Sequence, residues 1–279
     1  MTVLKNKKIN DVINSKELSG CCSSQLKQLY AERSIFDIDP DTSIFKIMRT
    51  RYFISDVRGN YLTHMFPSKS VWFDDYENLL MRVQFTDPQY QHPLYLSGIM
   101  ENLYATCWTL NDENQNDWLV FSGGESAVRL ESTPRKLLEA LMNTNDTYFM
   151  LHHFIGKVRY ETDSDVLRYF LDSNFSKHLD PLGQRSALAL MLLRDNVSHE
   201  NEVRLVYEFK EDQAKNPWIK SNVTCIPQKL CQVPIDWSAV LNTISVSMSS
   251  TPTDLQTIKT ALASANINLV VSQSTIPDR

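Results

Sequence analysis

The stretch R-D-N-V-S-H-E-N-E-V-R-L-V-Y, residues 194–207, decides how the fold is interpreted. Its last seven residues alternate between polar and apolar, and alternation sends successive side chains to opposite faces of a β-strand. One face carries Val203, Leu205 and Tyr207. The other carries Glu202 and Arg204, and Glu200 lies two residues upstream in line with them. The pattern therefore predicts a strand that begins with two carboxylates on one face.

Two interpretations of this strand are open. It is either an amphipathic strand whose charged face is solvated, or a central strand whose carboxylates line a cleft. We predict the second arrangement, with a basic residue close to Glu202. The first remains the alternative, because the spacing alone is compatible with both.

Length and composition describe a globular protein. The chain has 279 residues, of which 42% are hydrophobic and 22% are charged, so it can bury a sizeable core. A formal charge of −5 argues against holding nucleic acid by bulk electrostatics, although a local basic groove stays open. No apolar run is as long as a membrane span, and the N-terminus lacks the apolar core of a signal peptide. We therefore expect no membrane partner and a cytoplasmic location.

The cysteines give no sign of a metal site or a disulfide framework. There are five, an odd number, so we expect reduced and mostly packed thiols in a chain of this length. Cys225 and Cys231 are six residues apart, and neither a C-x-x-C nor an H-E-x-x-H spacing occurs. We expect no metal.

Strand and helix patterns are mixed without a regular βαβ rhythm, and there is no G-x-G-x-x-G or P-loop motif. Predicted strands include residues 61–66, 103–110, 126–131 and 243–248. Predicted helices include residues 135–141, 163–171, 181–194 and 253–263. The pattern predicts an α+β fold, with a helical N-terminal extension over residues 1–42 and a single α+β catalytic-like domain over residues 43–279.

Several further motifs carry a resemblance to a known family. They are F-K-I (45–47), P-S-K-S-V-W-F-D-D-Y-E-N (67–78), C-W-T-L-N-D-E (107–113), W-L-V-F-S (118–122), V-R-L-E-S-T-P-R-K-L (128–137), F-I-G-K-V-R-Y (154–160) and H-E-N-E-V-R-L-V-Y (199–207). Their order and spacing resemble the bacterial family catalogued as domain of unknown function 2971, over about residues 44–274. The family name implies no activity.

The order of the motifs is also similar to that of the ADP-ribosyltransferase superfamily. That superfamily has a basic or polar residue on the first strand, a Ser-Thr element at a later strand end and an E-x-E on a third strand. The similarity implies a mixed, split β-sheet core surrounded by helices, with NAD as the substrate. Cleavage of the nicotinamide–ribose bond develops positive charge on the ribose, which a carboxylate stabilises, while a cation holds the pyrophosphate.

The resemblance assigns roles to residues of the E-x-E and Ser-Thr elements. Glu202 would be the catalytic carboxylate and Glu200 the residue that handles the acceptor. Ser132 and Thr133 would match the Ser-Thr element that keeps the carboxylate oriented. The same two residues also precede Pro134 at the predicted start of a helix, so a purely structural role as a helix cap stays open.

The basic position and the aromatic walls are assigned in the same way. Lys46 stands where the family more often has arginine, and lysine is a point charge without a bidentate fork. Arg49 or Arg51 could therefore hold the NAD phosphates instead, and Lys46 could extend from a strand edge to solvent. Trp108 and Trp118 are candidate walls for nicotinamide or adenine, or else core residues.

The hypotheses on function belong to different classes. The first is a NAD-dependent ADP-ribosyltransferase that modifies RNA, DNA or protein as a toxin-like effector of a bacterial toxin–antitoxin or anti-phage system. An antitoxin or chaperone would then contact the N-terminal extension. The second is a non-catalytic nucleotide-binding or regulatory module of the same fold. A metal-dependent nuclease that uses Asp74, Asp75 and Glu77 ranks below both.

Overall fold

The computed structural model describes residues 2–67, 84–85, 94–95, 97–171, 180, 182–209 and 215–278. The acidic residues Asp74, Asp75 and Glu77 lie outside the described residues. The nuclease alternative therefore stays a sequence-based prediction.

Strands and helices follow one another irregularly, as the sequence predicts. The strands are β1 (Ile35–Phe36), β2 (Ile44–Arg49), β3 (Tyr61–Met65), β4 (Gln84–Phe85), β5 (Leu94–Tyr95), β6 (Leu103–Thr109), β7 (Ala127–Ser132), β8 (His153–Lys157), β9 (Arg159–Glu161), β10 (Leu192–Arg194), β11 (Glu202–Glu208), β12 (Thr224–Ile226), β13 (Leu230–Pro234), β14 (Thr243–Val246) and β15 (Val271–Gln273). The helices are α1 (Thr2–Leu18), α2 (Lys27–Arg33), α3 (Thr50–Gly59), α4 (Ser97–Met100), α5 (Gln115–Ser122), α6 (Pro134–Leu141), α7 (Asp163–Leu171), α8 (Gln184–Ala189), α9 (Pro217–Asn222), α10 (Trp237–Val240) and α11 (Pro252–Ser264).

One mixed sheet of eleven strands organises the described residues. Its main path runs β1-β8-β11-β6-β2-β7-β14-β15, and a branch β3-β13-β12 leaves from β6. The pairs β1/β8 and β14/β15 are parallel, and the other pairs are antiparallel. The predicted fold class is confirmed: the fold is α+β, with a mixed and split sheet surrounded by helices.

The split occurs along one edge of β6. At one end of that edge Thr109 pairs with Phe45 of β2, and at the other end Ala105 pairs with Met65 of β3. Among the described residues, positions 106–108 have no strand partner on this side. Because β2 and β3 diverge here and α3 connects them along the chain, a gap opens beside the middle of β6.

The strand predicted from alternation is central, as expected. β11 lies between β6 and β8, and all seven of its residues are buried. The alternative of a solvated charged face is therefore wrong, because both faces of β11 are covered. The apolar face belongs to the largest core cluster, together with Trp108 and Tyr104 of β6.

The helix predicted over residues 181–194 is wrong in its second half. Within the described part of this range, residues 180 and 182–194, only Gln184–Ala189 is helical, and Leu192–Arg194 forms β10, which pairs with β9. The run A-L-A-L-M-L-L is uniformly apolar, so it has no period that separates a buried helix from a buried strand. Tertiary pairing decides its structure.

The N-terminal segment contains α1 and α2, and it also contributes to the core. Ile13 of α1 is 2% exposed, and Tyr30 of α2 is also buried. Ile35 and Phe36 form β1, which pairs in parallel with Ile155 and Gly156 of β8. The division at residue 42 stays a prediction, and the segment before it supplies a strand to the main sheet. In the part of the chain that the structure describes, no helix has the length and apolar character needed to span a membrane.

Candidate active site in the split sheet

A cavity of about 410 Å³ lies at the gap beside β6. It is lined on one side by β11 and the turn before it, and on the other by β2, α3 and β3. The polar and charged residues that line it include Lys46, Arg49, Asp56, Cys107, Glu200 and Glu202. Its volume lies within the range of small-molecule sites, about 300–1,000 Å³.

Glu202 is held in a buried bidentate ion pair. Its side chain accepts from Arg204 Nε at 2.8 Å and from Arg204 Nη2 at 3.2 Å, and Arg204 is only 1% exposed. Arg204 Nη1 also donates to the Leu190 carbonyl at 2.8 Å. The Glu202 backbone N–H donates to the Tyr160 hydroxyl at 2.8 Å. Both the backbone and the carboxylate of Glu202 are thus held in one position.

The Glu202 carboxylate keeps capacity for a ligand. An ionised carboxylate offers about four acceptor positions. Arg204 takes two of them. Burial raises the pKa of the Cys107 thiol on β6 well above its usual value, so this neighbouring thiol stays protonated. At least one acceptor position therefore remains for a hydroxyl group in the cavity.

Glu200 is half-buried at the end of the 3-10 turn Asp195–Glu200, directly before β11. Its backbone carbonyl accepts from the Thr109 hydroxyl at 2.6 Å, which ties the turn to β6. Burial raises the pKa of Glu200 to about 7, and the negative charge of Glu202 adds to the effect. A carboxyl group that titrates near neutral pH is suited to accept and donate a proton.

Lys46 lies on the opposite wall and fills part of the gap in the sheet. Its Nζ donates to the Cys107 carbonyl at 3.1 Å, where a strand partner would otherwise donate. Burial lowers the pKa of Lys46 from its usual value, while Cys107, Asp56 and Glu202 act in the opposite direction. Lys46 therefore places an amine in the cavity, where it interacts electrostatically with Glu202.

Asp56 of α3 is a second buried acid in the cavity. Its carboxylate accepts from the Thr63 hydroxyl at 2.7 Å and from the Thr63 backbone N–H at 3.2 Å. Burial raises its pKa to about 6, although both hydrogen bonds and Lys46 favour the charged form. Asp56 joins α3 to β3 and so fixes the far wall of the gap.

Arg49 reaches the cavity at the end of β2 but is already engaged. Its Nε donates to the Ser122 carbonyl at 3.0 Å, and its Nη1 contacts Glu125 at 2.9 Å. Arg51 contacts the same Glu125 oxygen at 3.2 Å and lies over the Tyr52 ring. A phosphate would have to compete with Glu125 for either arginine, whereas Lys46 donates to a neutral carbonyl.

Three predicted site residues lie elsewhere. Ser132 is fully buried and donates to the Val240 carbonyl at 2.8 Å, while Thr133 caps α6 by accepting from the Lys136 N–H. Trp118 is fully buried beside Ile47, and its Nε1 donates to Glu113 at 2.9 Å. None of the three lines the cavity. Their contacts are those of core and helix-cap residues.

Trp108 does line the cavity, yet it is only 2% exposed and belongs to the main core cluster. Its buried Nε1 has no hydrogen-bond partner within the described ranges. The residue therefore forms a wall at the base of the gap, and its ring is largely covered by core side chains.

Arg204, Cys107 and Asp56 are site residues to which the sequence analysis gave no role. A signal existed for Arg204, because alternation places it on the Glu202 face. Cys107 had a weaker signal within a strand-like run. Asp56 had none, because its approach to the cavity depends on where α3 crosses the gap. The described side chains contain no group of three or more His, Cys, Asp or Glu residues arranged to hold a metal ion.

The comparison with solved structures finds similar proteins. No protein-family model matches, and no curated protein matches. Membership of the family of unknown function 2971 therefore stays a prediction.

Three similar structures are of DarT from Thermus sp. 2.9. The complex with carba-NAD+ shares 11% identity over 86% of this chain and 98% of that chain, and the complex with NAD+ shares 11% over 85% and 97%. The complex with ADP-ribosylated ssDNA shares 10% over 87% and 97%. The TM-score is 0.34 in each case.

Proposed function

We propose that this protein is an enzyme that transfers ADP-ribose from NAD to a macromolecular acceptor. The observation that carries the proposal is the convergence of two carboxylates and a lysine on one cavity at the split of the sheet. Glu200 and Glu202 stand on the β11 side, and Lys46 stands on the β2 side. The same split architecture was implied by the resemblance to ADP-ribosyltransferases.

The charged residues of the cavity suit the pyrophosphate and the reacting ribose of NAD. Lys46 would donate to the pyrophosphate, which is anionic. Glu202 would accept a hydrogen bond from a ribose hydroxyl through its remaining acceptor position and would stabilise the positive charge that develops on the ribose. Arg204 would act as a positioning residue, because it holds both carboxylate oxygens of Glu202.

The reaction transfers one glycosidic bond. The bond between the ribose C1′ and the nicotinamide nitrogen breaks, and its electron pair leaves with nicotinamide. A nucleophile of the acceptor forms a bond to C1′ and loses a proton, which Glu200 would take in its ionised form. A pKa of about 7 for Glu200 makes that form available near neutral pH.

We further propose that the acceptor is RNA, DNA or protein and that the activity is that of a toxin-like effector in the bacterial cytoplasm. An antitoxin or chaperone would then contact the N-terminal segment. Uncontrolled transfer from NAD to cellular macromolecules would harm the host, which is why such a partner is expected.

A second candidate function is favoured by one observation. The bidentate contact of Arg204 balances the charge of Glu202, which weakens the field that this carboxylate exerts on a ribose cation. The same cavity could therefore bind a nucleotide without turnover, as a regulatory module.

One experiment separates the two candidates. The protein is incubated with NAD and single-stranded DNA, RNA or a protein mixture, and free nicotinamide is measured. Binding of carba-NAD, which resists cleavage of the glycosidic bond, is measured in parallel. A transferase binds the analogue and releases nicotinamide from NAD, whereas a binding module binds both without release. Absence of binding to both would contradict both candidates.

A further inference from the structure

Cys225 and Cys231 face each other across the hairpin formed by β12 and β13. They are direct partners in the antiparallel register, between the pairs Thr224/Gln232 and Ile226/Leu230. From the sequence we expect reduced thiols at both positions, which are six apart in the chain. The hairpin brings them together.

The backbone pattern shows which kind of cross-strand pair this is. Phe66 N–H donates to the Lys229 carbonyl, and Ile235 N–H donates to the Asn60 carbonyl. Backbone groups at odd positions of β13 therefore point towards β3, so Cys231 forms a non-hydrogen-bonded pair with Cys225. Such pairs have Cα atoms about 4.5 Å apart and side chains in close contact. Disulfides need Cα separations of about 4.4–6.8 Å, so the backbone is already within range.

The two side chains lie on the same face of the hairpin, and their environments differ. Cys225 Sγ donates to the Tyr104 hydroxyl at 3.3 Å. The neighbouring Cys231 side chain lowers the pKa of Cys225, whereas burial raises the pKa of Cys231. Cys225 is partly exposed and Cys231 is fully buried.

We infer that Cys225 and Cys231 form a redox-active dithiol that small disulfides of the glutathione class convert into an intramolecular disulfide. The Cys225 thiolate attacks the small disulfide, forms a mixed disulfide and releases one small thiolate. Cys231 then attacks the Cys225 sulfur, loses its proton and releases the second small thiol. Two protein thiols are oxidised, and one small disulfide is reduced to two thiols.

The dithiol lies directly behind one wall of the candidate active site. On β13, Leu230 and Gln232 flank Cys231 and line the cavity, while Cys231 itself points to the core face. On the neighbouring strand, His64 pairs with Cys231 and Thr63 pairs with Gln232. A bond between the two cysteines would therefore covalently fix the hairpin that carries this wall.

The test uses the full chain in which Cys21 and Cys22 are replaced by serine, because these adjacent thiols near the N-terminus could react on their own. The folded protein is treated with oxidised glutathione, alkylated and analysed by intact mass and peptide mapping. We expect the loss of two hydrogen atoms and one cross-linked peptide that joins residues 225 and 231.

Two further variants distinguish the order of the steps. Cys231→Ser should stop at a stable mixed disulfide of Cys225 with glutathione, since the resolving thiol is gone. Cys225→Ser should remain unmodified, because Cys231 is buried. Equal modification of both single variants would overturn the inference. So would a persistent mixed disulfide when both cysteines are present. These readouts do not depend on NAD and stand independently of the proposed function.

Discussion

Glu202 sits in the most constrained environment of the site, and this changes what its substitution is expected to do. Substitution of Glu202 is expected to affect stability as well as activity. The carboxylate is 3% exposed and balances the buried Arg204. Removal of one partner of a buried ion pair typically costs about 3–5 kcal/mol.

We therefore predict that Glu202→Gln lowers the free energy of unfolding by about 3 kcal/mol, near the low end of that range, because glutamine keeps one acceptor oxygen. Denaturant unfolding measures this loss. In the double variant Glu202→Gln/Arg204→Met the unpaired buried charge is absent, so part of the stability should return. An unchanged unfolding free energy in the single variant would show that the ion pair is not important to the fold.

Glu200 offers the cleaner test of catalysis, because it is half-buried and its tie to β6 is through its backbone. Its pKa is raised from 4.5 to about 7, so the carboxyl is mostly protonated at pH 6 and mostly ionised at pH 8. A proton acceptor works only in the ionised form. The rate of transfer should therefore rise with pH through about 7.

We predict that Glu200→Gln lowers the transfer rate about 10²- to 10⁴-fold, as expected for loss of a general base, and removes the rise near pH 7. Single-turnover transfer measured from pH 5.5 to pH 8.5 provides the check. His199→Gln is the matched control, because His199 is the exposed neighbour of Glu200. A pH profile that persists in Glu200→Gln would assign the titration to another group.

At the scale of elements, the gap between β2 and β3 is the feature on which binding depends. Lys46 occupies that gap and donates to a carbonyl of β6. We predict that Lys46→Met weakens NAD binding about 10- to 100-fold, since a hydrogen bond to a charged group contributes about 1.5–3 kcal/mol. Isothermal titration with carba-NAD measures the effect without turnover.

The control for this variant is Arg58→Met, which removes an exposed cation in the last turn of α3 that does not line the cavity. It should bind carba-NAD as the unmodified protein does. If Lys46→Met binds normally, Arg49 would become the phosphate ligand, and its contact with Glu125 would have to open.

Much of the element pattern could be predicted from local sequence. The helix at residues 163–171 is found where expected, and Thr133-Pro134 starts α6 as a cap and first-turn proline. The wrong prediction at residues 192–194 has a different cause, because the structure of this run depends on contacts with a distant segment. β10 forms where β9 pairs with it.

Strand alternation predicts that Glu202 and Arg204 share one face of β11. The resemblance named Glu200, Glu202 and Lys46, and all three line the cavity because β11 and β2 both border β6. Ser132 makes a core contact, and Thr133 caps a helix. A Ser-Thr pair before proline can satisfy local backbone groups as readily as it can support a catalytic residue. The presence of Asp56 in the cavity could not be predicted, because it depends on the position of α3, which no local sequence pattern provides.

At the scale of the whole molecule, the N-terminal segment is part of the core. The segment buries five large apolar side chains: Ile13, Leu26, Tyr30, Ile35 and Phe36. Each contributes about 1.5–3 kcal/mol when fully buried, and the total stability of a domain is only about 5–15 kcal/mol.

We therefore expect a chain that lacks residues 1–42 to aggregate or to unfold at a much lower temperature. Thermal unfolding and gel filtration of the truncated protein measure this. Ile13→Ala, about 2–5 kcal/mol destabilising, and Leu18→Ala, within about 0.5 kcal/mol, form a matched pair on α1, because Leu18 is 90% exposed. A truncated protein that remains monomeric with an unchanged melting temperature would show that the segment is dispensable.

The central claim is that the cavity cleaves NAD and passes ADP-ribose to a macromolecule. The most direct measurement incubates the protein with NAD labelled in its adenylate part and with a cell lysate, then separates protein, RNA and DNA and counts label in each. We predict label in one acceptor class and release of an equal amount of nicotinamide. Glu200→Gln should lose both the labelling and the release. Binding of NAD without release of nicotinamide, or labelling that Glu200→Gln leaves unchanged, would contradict it.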